Sequence, residues 1–169
     1  MAACRLNRAA RVLAGLATMV ALVATAHAQV FDAVVTRVSD GDSVRVQPVD
    51  GGPPRVLRLL GMDAPETCQR HGPQAREALA GQVQGQRVRV HATTLDRYQR
   101  LLARLETAQE PDVGAWMVVH GHAWSYRWRD DPGPYAQEQA EARQAHRGLW
   151  AGAAPQEPRA FRREHGPCH

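Results

Sequence analysis

The chain contains no lysine, so all 21 of its basic residues are arginine. An arginine at any single position is therefore no sign that a forked guanidinium was needed in preference to an ammonium. Cysteine is scarce, three residues in 169, and none stands in a CxxC or Cys/His spacing of the kind that holds zinc. There is no His/His/carboxylate spacing, no GxSxG and no Cys/His nucleophile pattern, which sets aside zinc hydrolases and covalent acyl-transfer chemistry. The glycine of the DGD turn comes too early for an EF-hand loop, and no glutamate closes twelve residues. Internal repeats and low-complexity tracts are absent. Beyond the N-terminus no apolar run is long enough to span a bilayer.

The one long apolar run lies at the start. Arg5, Arg8 and Arg11 precede VLAGLATMVALVATA, which ends in Ala26-His27-Ala28. A basic lead, an apolar run short of about 20 residues and an A-x-A site read as a secretory signal peptide over residues 1–28. The mature chain would begin at Gln29 and hold about 141 residues, enough for one domain with one core. Without those three arginines, 18 basic residues face 17 acidic ones. A net charge of +1 barely favours a nucleic-acid partner on electrostatic grounds. Cys4 leaves with the leader, and Cys68 and Cys168 remain in a compartment that permits disulfides. One bridge between the C-terminal tail and the loop after Glu66, or two unpaired thiols, are the two readings.

Period-2 alternation marks strands at residues 30–38, 43–47, 55–60, 87–92 and 100–105. The break Asp50-Gly51-Gly52-Pro53-Pro54 has the composition of a hairpin connection. From Pro73, the residues Ala75, Ala78, Leu79 and Val83 share one helical face. A second helix carries Val113, Trp116, Met117 and His120, and a third spans 134–147, each stopped by glycine. Residues 151–169 read as a loosely held tail. Five short strands with about three helices form an α+β, mainly β, domain, and fit a five-stranded OB barrel over residues 29–150. Another small α+β sheet has the same element order.

Chemistry concentrates in RLLGMDAPE, residues 58–66, where an arginine, an aspartate and a glutamate lie within nine positions. Asp40 and Asp42 flank a glycine at a strand junction. Two aspartates, one from this turn and Asp63 from the end of the third strand, could give a hard divalent cation part of its oxygen cage, although a DGD sequence also forms turns for backbone reasons alone. Arg58 and Arg100 sit in otherwise apolar strands, and suit either an anion or a snorkelling surface position. Tyr98, Trp124 and Tyr126 lie beside Arg97 and Arg127, where a ring could stack on a base while a cation holds its phosphate. Packing in the core or at the rim is the stronger reading for Trp124 and Trp128. His120 and His122, flanking Gly121, read as capping or surface groups.

Taken in order, DGDSV at 40–44, RLLGMDAPE at 58–66, DRYQRLLA at 96–103 and RGLW at 147–150 resemble the staphylococcal nuclease (thermonuclease) family. The resemblance implies an OB-fold phosphodiesterase that cleaves DNA and RNA with one calcium ion and leaves 3′-phosphate ends. It makes Asp42 and Asp63 metal ligands, with Ala64 offering its carbonyl. Glu66 becomes the general base, Arg58 and Arg100 the phosphate-binding arginines, and Arg97, Tyr98 and Tyr126 substrate contacts. Ala64 and Ser43 stand where that family has threonine, Trp124 where it has tyrosine, and Gln99 where it often has glycine. The Cys68–Gly72 loop is shorter. The expectation is thus a monomeric nuclease of the periplasm or the exterior, preferring single-stranded DNA or RNA and free of the membrane once its leader is removed. A non-catalytic OB module that binds single strands or a protein partner is the alternative.

Overall fold

The computed structural model describes residues 29–152, 154–166 and 168. The signal-peptide reading of residues 1–28 lies outside the described residues. The described residues form seven strands: β1 Gln29–Val38, β2 Ser43–Pro48, β3 Arg55–Leu59, β4 Met62–Asp63, β5 Arg87–Leu95, β6 Leu101–Glu106 and β7 Trp124–Ser125. Five of them close a barrel in the order β1-β2-β3-β6-β5. All neighbours are antiparallel except β3 and β6, which run parallel with Leu57 opposite Leu101. This is the five-stranded OB barrel, α+β and mainly β.

Alternation builds the barrel as expected, and one irregularity corrects its phase. Ala33 and Val35 point inward from β1, and strict alternation would next bury Arg37. A bulge between Val35 and Arg37 shifts the register, so Val38 is buried and Arg37 stays in solvent. Val44, Val46, Leu57, Leu59, Val88, Val90, Ala103 and Leu105 complete the interior.

Helix α1 (Gly72–Val83) begins with Pro73 in its first turn and buries Ala75, Leu79 and Val83 against the barrel. In α2 (Val113–Val119), Asp112 is the N-cap and accepts from the backbone N–H groups of Gly114 and Ala115. Its C-cap is His120, as expected; His122 is half-buried instead, with its ring stacked on His71. Helix α3 (Ala136–Gln144) is polar and buries only Ala142. No helix among the described residues is long and apolar enough to cross a membrane.

Two features escape period counting. Strands β4 and β7 have two residues each and pair Met62 with Ser125 and Asp63 with Trp124, too short to show any period. The stretch expected to be a loose tail carries a fourth helix, α4 (Pro158–His165). Its only buried residue is Pro158, and its apolar residues, Pro158, Ala160 and Phe161, are too few and too close together to mark a helix by period. What fixes it is covalent and polar: the Cys68–Cys168 disulfide is formed, and the Gln69 amide Nε2 donates to the Gln156 carbonyl at 2.7 Å.

Candidate active site

The site is assembled at one end of the barrel, where the β1–β2 turn, the β3–β4 segment and the β5–β6 turn meet. Asp42 is set by its local turn, its N–H donating to Asp40 Oδ1 at 2.9 Å. Its carbonyl then receives the Leu59 N–H at 2.8 Å, tying the turn to the end of β3. Gly41 is required there by close packing: a Cβ would stand 2.7 Å from the Ala64 Cβ and 2.9 Å from the Ala75 Cβ. The DGD sequence is thus both a turn and a site element.

Gly61, at φ +85°, turns the chain out of β3 so that β4 can pair with β7 and present Asp63. The Tyr126 N–H donates to the Gly61 carbonyl at 2.8 Å, extending that short pairing by one residue. Glu66 opens the next turn. Its N–H donates to Gln69 Oε1 at 3.1 Å, and its carbonyl accepts from the Gln69 N–H at 2.9 Å.

Arg58 binds the two aspartates together. Nη1 donates to Asp42 Oδ1 at 2.5 Å, and Nη2 to Asp63 Oδ1 at 2.8 Å. Asp42 Oδ2 accepts from the Ala64 N–H at 3.2 Å, and both carboxylates are buried. Burial pushes the Asp42 carboxyl above its ordinary value, with Arg58 pulling against it and Asp40 adding to the rise. Burial also works to lower Arg58, yet Asp42 and Asp63 overcome it and hold the guanidinium above its usual value.

Arg100 approaches from the β5–β6 turn. Asp96 Oδ1 accepts from the backbone N–H groups of Tyr98 and Arg100, and Asp96 Oδ2 accepts from Arg100 Nε at 2.8 Å. Burial opposes the shift, but these Arg100 and Tyr98 bonds hold the Asp96 carboxyl below its ordinary range. Arg100 Nη1 also reaches Ser43 Oγ at 3.4 Å, and Ser43 in turn donates to Asp42 Oδ1 at 2.9 Å. A polar chain therefore links the second arginine to the first aspartate. Gln99 takes φ +63° in this turn, a conformation that glycine adopts without penalty.

The resulting cleft has a volume of about 760 Å³, and Asp42, Arg58, Ala64, Glu66, Arg97, Tyr98, Arg100 and Tyr126 all line it. Asp63 lies behind, held by Arg58. The cleft thus gathers all of the ligands, base, phosphate contacts and substrate contacts that the family resemblance implies except Asp63, which adjoins it, whereas Arg127 faces a neighbouring pocket with Asp63 and Trp124. Tyr98 and Tyr126 are exposed at the rim, whereas Trp124 is buried edge-on to Trp150 and is not free to stack on a base.

Sequence reasoning missed Arg162. From α4 its Nη1 donates to Glu66 Oε1 at 2.7 Å and to Asp63 Oδ1 at 3.2 Å, while Nη2 donates to Asp63 Oδ2 at 2.9 Å. Burial opposes its charge, but Asp63 and Glu66 hold this guanidinium well above its ordinary pKa. Arg159 lines the same cleft and lies over the exposed Trp128 ring at 5.4 Å. The pair Cys68 and Cys168 was the available signal. A bridge between them brings whatever precedes Cys168 to the loop after Glu66.

Among the described residues no three His, Cys, Asp or Glu side chains gather as a metal cage. The donor set is two buried carboxylates with Ala64 beside them, all hard oxygen donors. That set suits calcium or magnesium completed by water and phosphate, and not zinc or copper.

The pattern of the staphylococcal nuclease homologue family matches residues 56–152. The Protein ParB of Escherichia coli is 43% identical over 141 residues, covering 77% of this chain and 78% of that one. A micrococcal nuclease of Shigella flexneri is 36% identical over 143 residues, covering 79% and 81%. An uncharacterized endonuclease of Haemophilus influenzae is 35% identical over 130 residues, covering 77% and 72%. The matched span carries Arg58, Asp63, Glu66 and Arg100, so the chain belongs to the staphylococcal nuclease homologue family.

Proposed function

We propose that the protein is a calcium-dependent nuclease, exported to the periplasm or beyond, that hydrolyses phosphodiester bonds of single-stranded DNA or RNA as a monomer. The observation that carries this reading is the convergence of Asp42, Arg58, Glu66 and Arg100 from three separate segments on one cleft, with Asp63 held behind it by Arg58. The micrococcal nuclease and endonuclease names of the relatives support it. A binding module would need the cationic rim but not two buried aspartates with Glu66 beside them.

Asp42, Asp63 and the Ala64 carbonyl would hold the cation, which when bound neutralises phosphate charge and makes the phosphorus more electrophilic. Glu66 stands at the cleft wall as the group to orient a water and take its proton for attack in line with the leaving oxygen. Arg58 uses two of its donors on the aspartates and has others to offer a phosphate oxygen. Arg100, fixed in direction by Asp96, supplies the second cation for the charge that builds on the equatorial oxygens. Tyr98, carrying the Arg97 guanidinium 4.8 Å above its ring, and Tyr126 offer stacking and phosphate contacts to a single strand. Water adds to phosphorus as Glu66 takes its proton, the P–O5′ bond breaks, and the 5′ oxygen takes a proton from solvent, leaving a 3′-phosphate and a 5′-hydroxyl.

Digestion of heat-denatured DNA and of RNA in calcium, in magnesium and in EDTA tests the reading, with Glu66→Gln and Arg100→Ala as controls. Calcium-dependent cleavage that falls at least about 100-fold in Glu66→Gln is expected. Undiminished cleavage in EDTA or in both variants would overturn it.

A further inference from the structure

Helix α4 is held by little apolar burial, Ala160 and Phe161 being only half-buried. It has eight residues, of which only Pro158 is buried, and a helix of that length is marginal on its own. Its position rests on the Cys68–Cys168 bridge, on Arg127 Nη2 donating to Glu157 Oε1 at 2.9 Å, and on Arg162. The bridge starts two residues after Glu66 and ends six residues after Arg162. It returns the helix to the segment that carries Asp63 and Glu66.

Arg162 lies against the same oxygens that the proposed function gives to the cation and the base. Its fork covers both Asp63 oxygens and one of Glu66. Arg58 already holds Asp63 Oδ1, so each oxygen of that carboxylate has an arginine donor. A divalent cation must share or take those lone pairs, and it meets a second fixed positive charge as it arrives. Tethering raises the effective concentration of that charge at the site without any added contact.

We propose that Arg162 is an intramolecular competitor of the active-site cation, and that the Cys68–Cys168 disulfide sets how strongly it competes. Reduction of the bridge frees the end of α4, lowers the effective concentration of Arg162 at Asp63, and raises cation affinity. Arg162 thereby fixes the calcium concentration at which the site loads, and links it to the redox state of the surroundings. This inference rests on the reading of Asp63 as a cation ligand.

Isothermal titration of calcium into the purified protein tests it, with far-UV circular dichroism confirming that each variant is folded. Arg162→Gln is expected to bind calcium about tenfold more tightly than the wild type, the scale of one part-buried ion pair. Reduction with dithiothreitol, or the Cys68→Ser/Cys168→Ser double substitution, is expected to tighten calcium binding in the wild type and to add nothing in Arg162→Gln. Such non-additivity is the mark of two changes acting through one group. Unchanged or weaker calcium binding in folded Arg162→Gln overturns the competition, and weaker binding would make Arg162 a support of the loaded site instead. Asp63→Ala separates the two levels. If it abolishes binding while Arg162→Gln leaves it unchanged, the cation reading stands and only the competition fails; if the wild type binds no calcium, both fail together.

Discussion

Arg58 Nη1 donates to Asp42 Oδ1 at 2.5 Å across the β2–β3 pairing, and the carboxylate it meets is almost wholly out of solvent. A buried ion pair of this kind stabilises mainly by the cost of breaking it, because the partner left behind has no water to turn to. Arg58→Ala should therefore lower stability by about 3 kcal/mol as well as suppress cleavage. Arg100 meets Asp96, which is part-buried at the head of the β5–β6 turn but keeps its bonds to the Tyr98 and Arg100 backbone when the side chain is removed. Arg100→Ala should cost less than about 1 kcal/mol while reducing activity. Urea unfolding of both variants checks the contrast. Equal losses would mean that Arg58 has no more structural weight than a surface arginine.

How much of this could be read beforehand depends on how each contact is encoded. Asp42, Arg58, Asp63, Glu66 and Arg100 were legible because they stand in or beside the alternating strands β2, β3 and β6, in the short charged blocks DGDSV, RLLGMDAPE and DRYQRLLA. The β4–β7 pair was not, since two residues carry no period. Nor was the bulge at Val35–Arg37, which breaks the period it interrupts. Helix α4 has hardly an apolar face to detect, and Arg162 reaches Glu66 over 96 positions of sequence. Only the Cys68–Cys168 pair hinted at that closure, and a cysteine pair says which loops meet without saying which side chain lies between them.

Gly61 positions Asp63 by bending the chain where a side chain cannot go. At φ +85° an added Cβ would stand 2.6 Å from Pro134 Cγ and 3.0 Å from Tyr135 Cε2. Both backbone strain and a clash with the segment leading into α3 oppose Gly61→Ala, which should lose about 2 kcal/mol. Relaxation would move β4 off β7 and carry Asp63 with it, so activity should fall more than calcium-free stability alone predicts. Thermal unfolding alongside a digestion assay measures the two effects. An unaltered melting temperature would show that β3 and β4 can be joined without this turn.

Stability should fall on mild acidification through His122. Its ring stacks on His71 at 5.4 Å and on Trp116 at 5.9 Å, and its Nδ1 lies 3.3 Å from His71 Nε2. Burial, with His71 and His120 adding to it, lowers its pKa to about 4. The unfolded chain takes up this proton near pH 6.5 and the folded chain only near 4, so stability is full above about pH 6.5 and declines as pH falls toward 4. Burial and Arg70 lower His71 in the same direction, so it deepens the decline. At a half-buried ring screened by solvent, the His122 share is about 1 kcal/mol. Denaturant unfolding between pH 7 and pH 4 should show a slope that is reduced in His122→Phe. An equal slope in that variant would place the acid sensitivity elsewhere.

Gln99 marks a position where the fold asks for something other than what the sequence supplies. The β5–β6 turn closes through the Asp96 N–H to the Arg100 carbonyl at 2.9 Å and the Gln99 N–H to the Asp96 carbonyl at 3.0 Å. Within it Gln99 is held at φ +63°, where a Cβ crowds the backbone and the cost is about 1 kcal/mol. Glycine removes that strain but gains freedom in the unfolded chain, which returns part of the benefit. Gln99→Gly should therefore stabilise by about 0.5 kcal/mol. Because Asp96 directs Arg100 independently of residue 99, through both its backbone N–H and its Nε, cleavage should stay within about twofold, well under the tenfold that 1.4 kcal/mol represents. Thermal unfolding and steady-state digestion of the variant check the pair. Increased stability accompanied by a large loss of activity would mean that the strained turn itself aims Arg100 at the phosphate, and that the Asp96 contacts do not suffice.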